Sequence, residues 1–340
     1  MSEFSTYQMR TPLVRQLPLD VPLSIHVCPT TYCNFKCCYC VHSLSTDKYL
    51  PNGIKKEFMT LDKFNILVNQ IKKFSGKLKL LNFAYLGEPL LNKEITEMVK
   101  IAHDADIAER IEIVSNASML NKKISKELVD AGLSRLRVSI QGLSDEEYYD
   151  MSKAKKCFKN IVENLRYMYL YAKKNGNTKI YIKTVDSIVQ TSERKERFFE
   201  LFGDICDNLN IESLVPISEK CDIHNLKTEF TTGFFGNEIK QTNICCEVFY
   251  TMVVTPCGDV LPCCTMGTPP IKLGNIENSD IFSIWNSKVL KKFRIDMMKN
   301  GYKHFEQCKK CGVPMYQTSD ADYLDRYVNE LLKRYGENDA

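Results

Sequence analysis

The strongest constraint on this chain is an alternation. Between about residues 22 and 217, six short β-rich runs take turns with amphipathic segments of helical period. The runs are Leu23–Val27, Leu78–Ala84, Ile111–Val114, Arg135–Ile140, Lys179–Thr184 and Ile211–Val215. Helical periodicity marks Leu61–Phe74, Lys93–Asp104, Lys122–Ala131 and Lys159–Lys174. Strands separated by helices need crossovers rather than hairpins, so the pattern predicts parallel strands in an open sheet or an incomplete barrel. From about residue 218 the spacing becomes irregular and Gly and Pro accumulate. There Phe249–Val254, Pro256–Gly258 and Val260–Pro262 carry a hairpin signal. The expected organisation is an N-terminal extension over 1–21, a barrel over 22–217 and a smaller domain over 218–340. The last of these ends in a helix-like tail, Ser319–Tyr335, free of Pro and Gly.

Composition matters chiefly through cysteine. Of fifteen cysteines, five lie between residues 28 and 40 and seven between 245 and 311. The count is odd and the spacing uneven, which argues against a disulfide framework and for metal. No signal-peptide run opens the sequence, and no stretch of about 18 apolar residues could span a bilayer. A cytoplasmic location, where thiols stay reduced, is therefore expected. Cys157, Cys206 and Cys221 stand apart and read as ordinary thiols. The formal net charge is +4 with 26% charged residues, a balance that implies neither a nucleic-acid nor a membrane-surface partner. The basic runs Lys153–Lys159 and Lys288–Arg294 read as solvated helix faces.

The first cluster reads Cys33-Asn34-Phe35-Lys36-Cys37-Cys38-Tyr39-Cys40. Three thiolates at C-x3-C-x2-C leave one iron of a 4Fe–4S cube without a protein ligand. Zinc is the rival occupant, with Cys28 or His42 as a fourth ligand. The spacing resembles the signature loop of the radical S-adenosylmethionine (SAM) superfamily. That resemblance implies a partial (β/α)6 TIM-like barrel of α/β class, with Cys33, Cys37 and Cys40 on a SAM-binding cluster. It also implies adenine contact by Tyr39. Gly87, Glu88 and Pro89 resemble the family's glycine–glutamate motif, which receives the SAM amino group. Ser115 and Asn116, then Ser139 and Gln141, resemble its third- and fourth-strand motifs, and Lys153 stands where the family has an Arg for the SAM carboxylate. Gln141 replaces the usual acidic residue there.

The C-terminal region resembles the SPASM/Twitch extension of the same enzymes, in Gly258-x4-Cys263, Leu273-Gly274-Asn275-Ile276, Ile284-Trp285 and Cys308-x2-Cys311. No cysteine follows Cys311, so the resemblance implies one auxiliary 4Fe–4S cluster on Cys245, Cys263, Cys308 and Cys311. Cys246 and Cys264 have the same mutual spacing and stay open as an alternative register. A zinc ribbon is the rival here. Cys257 sits at the hairpin tip as an incidental thiol, and Trp285 is expected in the small domain's core.

The activity implied is hydrogen abstraction by a 5′-deoxyadenosyl radical, with oxidation of a secondary alcohol of a sugar or aminocyclitol. A flavodoxin- or ferredoxin-type protein would supply electrons. The rivals are a sugar epimerase, with Cys206, Cys221 or Cys257 returning hydrogen, a peptide-modifying enzyme, and a zinc-bound interaction module. Only about thirty residues precede the first cluster, too few for a leader-peptide domain. Lys183, Asp186, Glu212 and Ser218 are polar candidates for substrate contact near strand ends.

Overall fold

The structure, a computed structural model, describes residues 11–45, 55–221, 223–227, 229–264 and 269–336. Six parallel strands follow one another in chain order: β1 (Ser24–Val27), β2 (Leu80–Phe83), β3 (Ile111–Ser115), β4 (Arg135–Ser139), β5 (Lys179–Val185) and β6 (Asn208–Glu212). Helices such as Leu61–Ile71, Ile95–Asp104, Lys122–Asp130, Phe158–Asn175 and Ser192–Phe202 make the crossovers. Several begin on side-chain caps that satisfy their free N–H groups: Thr60, Asn121, Ser144 and Thr191. The sheet does not close, and this partial barrel is the predicted α/β class.

One face of each strand buries Ile25, Val27, Leu81, Phe83, Ile113, Leu136, Val138, Ile180 and Ile182 against the helices. The alternate positions His26, Asn82, Glu112, Arg137 and Lys183 line the concave side. Glu212 pairs there with Arg137 and with Lys183 at 2.5 Å. Burial pushes Glu212 up, but Lys183 and Arg137 outweigh it and hold the carboxyl below its usual range.

β7 (Thr251–Val254), β8 (Asp259–Leu261) and β9 (Gly274–Asn275) extend this sheet rather than building a separate one. β7 pairs in parallel with β1, in the register Ser24 to Thr251 and Val27 to Val254, and Ser24 Oγ donates to Thr251 Oγ1 at 2.8 Å. The sheet thus runs β6-β5-β4-β3-β2-β1-β7-β8-β9 and crosses the expected boundary at 217/218. The N-terminal segment is built in as well: Leu13, Val14 and Leu17 are buried, and Arg334 donates to the carbonyls of Val14 and Leu17.

Three expectations are corrected. The sixth strand runs three residues earlier than expected. Asp207 holds the register, its N–H donating to Ile180 O and its carboxylate accepting from Ile180 N–H. Ser213 and Leu214 then leave the sheet, donating to Phe234 O and to the Asp186 carboxylate. The tail over 319–335 is helical only at Val328–Arg334, after two 3-10 turns. Asp325 accepts from the N–H groups of Asn243 and Ile244 and from the Thr242 hydroxyl, a tertiary anchor that displaces local helix. Finally, Arg294 does not lie on a solvated face: it is 5% exposed, stacks 4.0 Å from the Trp285 ring and donates to Val248 O. Trp285 N–H reaches Leu19 O at 2.9 Å, joining the small domain to the N-terminal segment.

Candidate active site and its two cysteine sets

The loop carrying the first cysteines leaves β1 at its carboxyl end, where ligands bind in α/β folds. Two backbone bonds fasten it to the helix Asp145–Ser152: Lys36 N–H to Ser152 O and Cys38 N–H to Met151 O. Phe35 is buried beside Tyr148. Its N–H donates to Cys33 Sγ at 3.4 Å, a bond that favours the thiolate. Cys33, Cys37 and Cys40 are electrostatic neighbours. Burial pushes Cys33 up to about 12 and Cys37 well above its ordinary range, and the adjacent thiols add to both. Such a set calls for a positively charged group to hold it ionised.

The two rival fourth ligands for zinc are committed elsewhere. Cys28 is fully buried, and its thiol donates to the carbonyls of Thr30 and Leu86 at 3.3 and 3.4 Å. His42 Nε2 accepts from Gly87 N–H at 2.9 Å. Among the described residues, no three Cys, His, Asp or Glu side chains gather as a single metal ion requires.

The Gly87-Glu88 turn packs directly onto this loop. Glu88 N–H donates to Tyr32 O at 2.8 Å, and Gly87 has φ of +73°. A Cβ there would lie 2.1 Å from Thr30 O and 2.6 Å from Tyr32 O, so only glycine fits. Glu88 is 2% exposed and joins two strand ends: Oε1 accepts from Ser115 Oγ at 2.6 Å and Oε2 from Asn116 N–H at 2.7 Å. Leu90 N–H also bonds Oε1 just beyond Pro89. Burial still raises the Glu88 carboxyl despite these three bonds. Asn116 Nδ2 reaches back to Asn34 Oδ1 in the cysteine loop.

Gln141 follows β4, is 3% exposed and accepts from the Tyr39 hydroxyl, while its amide donates to Ser139 O. The structure thus gathers Tyr39, Gly87, Glu88, Ser115, Asn116 and Gln141 around one loop. Lys153 differs: it is exposed in left-handed backbone, with its ammonium on Asp150 O and 5.2 Å from the Tyr149 ring.

The second set surrounds a small cavity lined by Cys245, Cys263, Cys264, Cys308 and Cys311, with Glu247 also on its wall. Cys246 is not on that wall; its sulfur lies 3.8 Å from Thr318 Oγ1. Cys264 donates to Glu247 Oε2 at 3.4 Å. Cys257 lies apart, 3.1 Å from Thr255 Oγ1. Ser218 forms an isolated bridge with Cys311, which ties the segment after β6 to this cavity. Asp186 is taken by Lys227 at 2.6 Å. Cys206 belongs to the main core, whereas Cys221 packs with Tyr39 and Cys40, a proximity its lone position in sequence did not signal.

The family model described as the Radical SAM superfamily matches residues 27–189. Over these residues, just under half of its length, the chain carries a radical SAM domain. A model described as an iron-sulfur cluster-binding domain, SPASM, matches residues 245–312. The radical SAM domain implies SAM with a 4Fe–4S cluster, and the SPASM domain implies auxiliary iron–sulfur binding; both cysteine sets suit such groups in donor chemistry. The GTP 3′,8-cyclase of Clostridium perfringens is 26% identical over 193 residues. That match spans 56% of this chain and only 54% of the cyclase. Among solved structures, BtrN in complex with AdoMet and 2-DOIA is 21% identical and covers 89% of this chain and 98% of its own, with a TM-score of 0.55. Streptococcus suis SuiB bound to S-adenosylmethionine is 16% identical, covers 92% and 78%, and has a TM-score of 0.62. At these identities the likeness is one of fold. No helix among the described residues is long and apolar enough to cross a membrane.

Proposed function

We propose that this radical SAM enzyme oxidises a secondary alcohol of a small sugar or aminocyclitol to a ketone. The observation that carries the reading is the thiol-lined cavity of the C-terminal region, which suits one closed auxiliary 4Fe–4S cluster. Cys245, Cys263, Cys308 and Cys311 are its proposed ligands, because Cys246 turns to Thr318 and Cys264 to Glu247. Cys33, Cys37 and Cys40 are the proposed ligands of the SAM-binding cluster. The BtrN complex, whose whole chain is spanned, supports the substrate class.

When bound, SAM and its cluster supply a 5′-deoxyadenosyl radical, and the second cluster supplies an acceptor for one electron. The alcohol carbon gives up a hydrogen atom, the hydroxyl a proton and the resulting carbon radical an electron, which leaves the ketone. In this reading Gly87 lets the chain approach the amino acid end of SAM and Glu88 orients Ser115 and Asn116. Tyr39 and Gln141 brace the loop beside the adenine, and Pro89 and Ser139 are the remaining proposed SAM contacts. An open cleft beside the cysteine loop, lined by Lys36, Lys153 and Lys155, suits docking of an acidic reductant of flavodoxin or ferredoxin type.

The test is anaerobic reconstitution with SAM, dithionite and a panel of deuterated sugars, cyclitols and peptides. About eight irons per chain, and deuterium passing from the carbinol carbon to 5′-deoxyadenosine with ketone formed, are the expected results. Zinc loading without SAM cleavage would sink the reading. Cys221 beside Cys40 favours a second reading, an epimerase in which that thiol returns a hydrogen atom and is restored by one electron and one proton. Solvent hydrogen at the same carbon, without ketone, would select it.

A further inference from the structure

Tyr85 follows β2 (Leu80–Phe83), two residues before Gly87, and the chemistry above makes no use of it. Two features set it apart. Its φ is +100°, in the left-handed half of backbone space that an aromatic residue rarely adopts. Its phenolic oxygen is buried and has no hydrogen-bond partner among the described residues. Strain and an unmade buried bond in one side chain persist only where the surroundings impose them, and such outliers gather at functional sites.

The position gives the reason. The Tyr85 ring packs on the apolar cluster of Cys28, Val41 and Leu86 that also holds Tyr39 and Cys40. It packs equally on Val253 and Leu261 of the C-terminal hairpin, beside Cys264. Cys28 and Cys264, one from each cluster, are engaged elsewhere, Cys28 with backbone carbonyls and Cys264 with Glu247. The Tyr85 side chain therefore stands between the loop of the first cysteine set and the hairpin of the second. In the reading proposed above, the substrate gives a hydrogen atom to one site and an electron to the other, and a position between them serves both.

We infer that Tyr85 is a substrate-positioning residue whose hydroxyl donates a hydrogen bond to an oxygen or nitrogen of the small polar substrate held between the two cysteine sets. This rests on the reading proposed above. Packing alone would be served by phenylalanine. A tyrosine supplies a rigid donor with few rotatable bonds to order on binding.

The experiment is Tyr85→Phe in the reconstituted enzyme, with scyllo-inosamine, myo-inositol and glucose as probes. The expected result is a KM raised about tenfold for the probe turned over, the effect of one lost hydrogen bond. The melting temperature should be unchanged or higher, because an unpaired buried hydroxyl is removed. The paramagnetic resonance spectra of both reduced clusters should match the wild type. A lowered melting temperature would reveal a structural partner, and an altered auxiliary-cluster spectrum a bond to a cluster sulfur; either overturns the assignment, as does an unchanged KM. If the wild type turns over none of the probes, the alcohol-oxidation reading falls. The melting and resonance arms then decide Tyr85 on their own, unchanged values supporting a ligand-facing hydroxyl.

Discussion

Replacing Gly87 by alanine tests the physical core of the site. Gly87 and Gly236 have nearly equal backbone angles, φ of +73° and +76°, but opposite surroundings. A Cβ on Gly236 meets nothing within 4 Å among the described residues, so Gly236→Ala carries only the left-handed penalty of about 1–2 kcal/mol. A Cβ on Gly87 would stand 2.1 Å from Thr30 O and 2.6 Å from Tyr32 O, both backbone atoms that no rotamer change can move. These carbonyls are pinned: Tyr32 O accepts from Glu88 N–H, and Thr30 Oγ1 ties the same loop to Glu57 O at 2.9 Å. Relieving the clash breaks one or two such bonds at about 1 kcal/mol each and moves the cysteine loop. The total for Gly87→Ala is about 2–4 kcal/mol. With an unfolding entropy of about 2.1 cal/mol/K per residue, that lowers the melting temperature by about 3–6 °C, against about 1–3 °C for Gly236→Ala. Circular dichroism melts of the two variants, prepared identically under anaerobic conditions, measure the difference. Equal shifts would refute the steric argument. SAM cleavage should fall in Gly87→Ala and persist in Gly236→Ala.

Further outcomes follow from the same geometry. Alanine at Cys245, Cys263, Cys308 or Cys311 should lower the iron content from about eight to about four per chain, with Cys246→Ala retaining the full complement; loss in Cys246→Ala would move the ligand register. Glu147 takes two hydrogen bonds from Arg194, at 3.0 and 2.7 Å, and one from Leu143 N–H. Partial burial pushes its carboxyl up, but these bonds and the Arg194 charge hold it below its ordinary value of 4.5. A depressed carboxyl stabilises fully above its unfolded value and loses that contribution as pH falls through the lower folded one. Arg194→Leu should therefore flatten the acid limb of melting temperature against pH below about 4.5, which a pH series of thermal melts reads. Reduction by flavodoxin should slow as salt rises and slow again in Lys36→Glu, because opposite charges at an exposed cleft are screened; salt-independent rates in stopped-flow experiments would place the donor elsewhere.

The sequence reading succeeded where local rules suffice. The first five strands and the helices Leu61–Ile71, Ile95–Asp104, Lys122–Asp130 and Phe158–Asn175 were legible from local patterning, whereas Asp145–Ser152 and Ser192–Phe202, which start on Ser144 and Thr191, were not. The polar residues inside otherwise buried parallel strands, Glu112, Arg137 and Lys183, were legible as a signal of a barrel lumen, although only Lys183 had been singled out. C-x3-C-x2-C was equally local, because one short loop carries all three thiols.

What tertiary structure alone decided are matters of direction and distant contact. Cys245 and Cys246 are adjacent in sequence and chemically the same, yet one faces the cavity and its neighbour faces Thr318. The burial of Arg294 against Trp285 and the loss of helix over 319–327 came from partners far along the chain. So did the joining of β7 to β1, which makes one sheet of two regions that read as separate. Tyr85 is the clearest instance. In sequence it is an ordinary strand-end tyrosine, and its hydroxyl, unpaired among the described residues, acquires meaning only because the fold sets the side chain between two cysteine sets more than 200 residues apart.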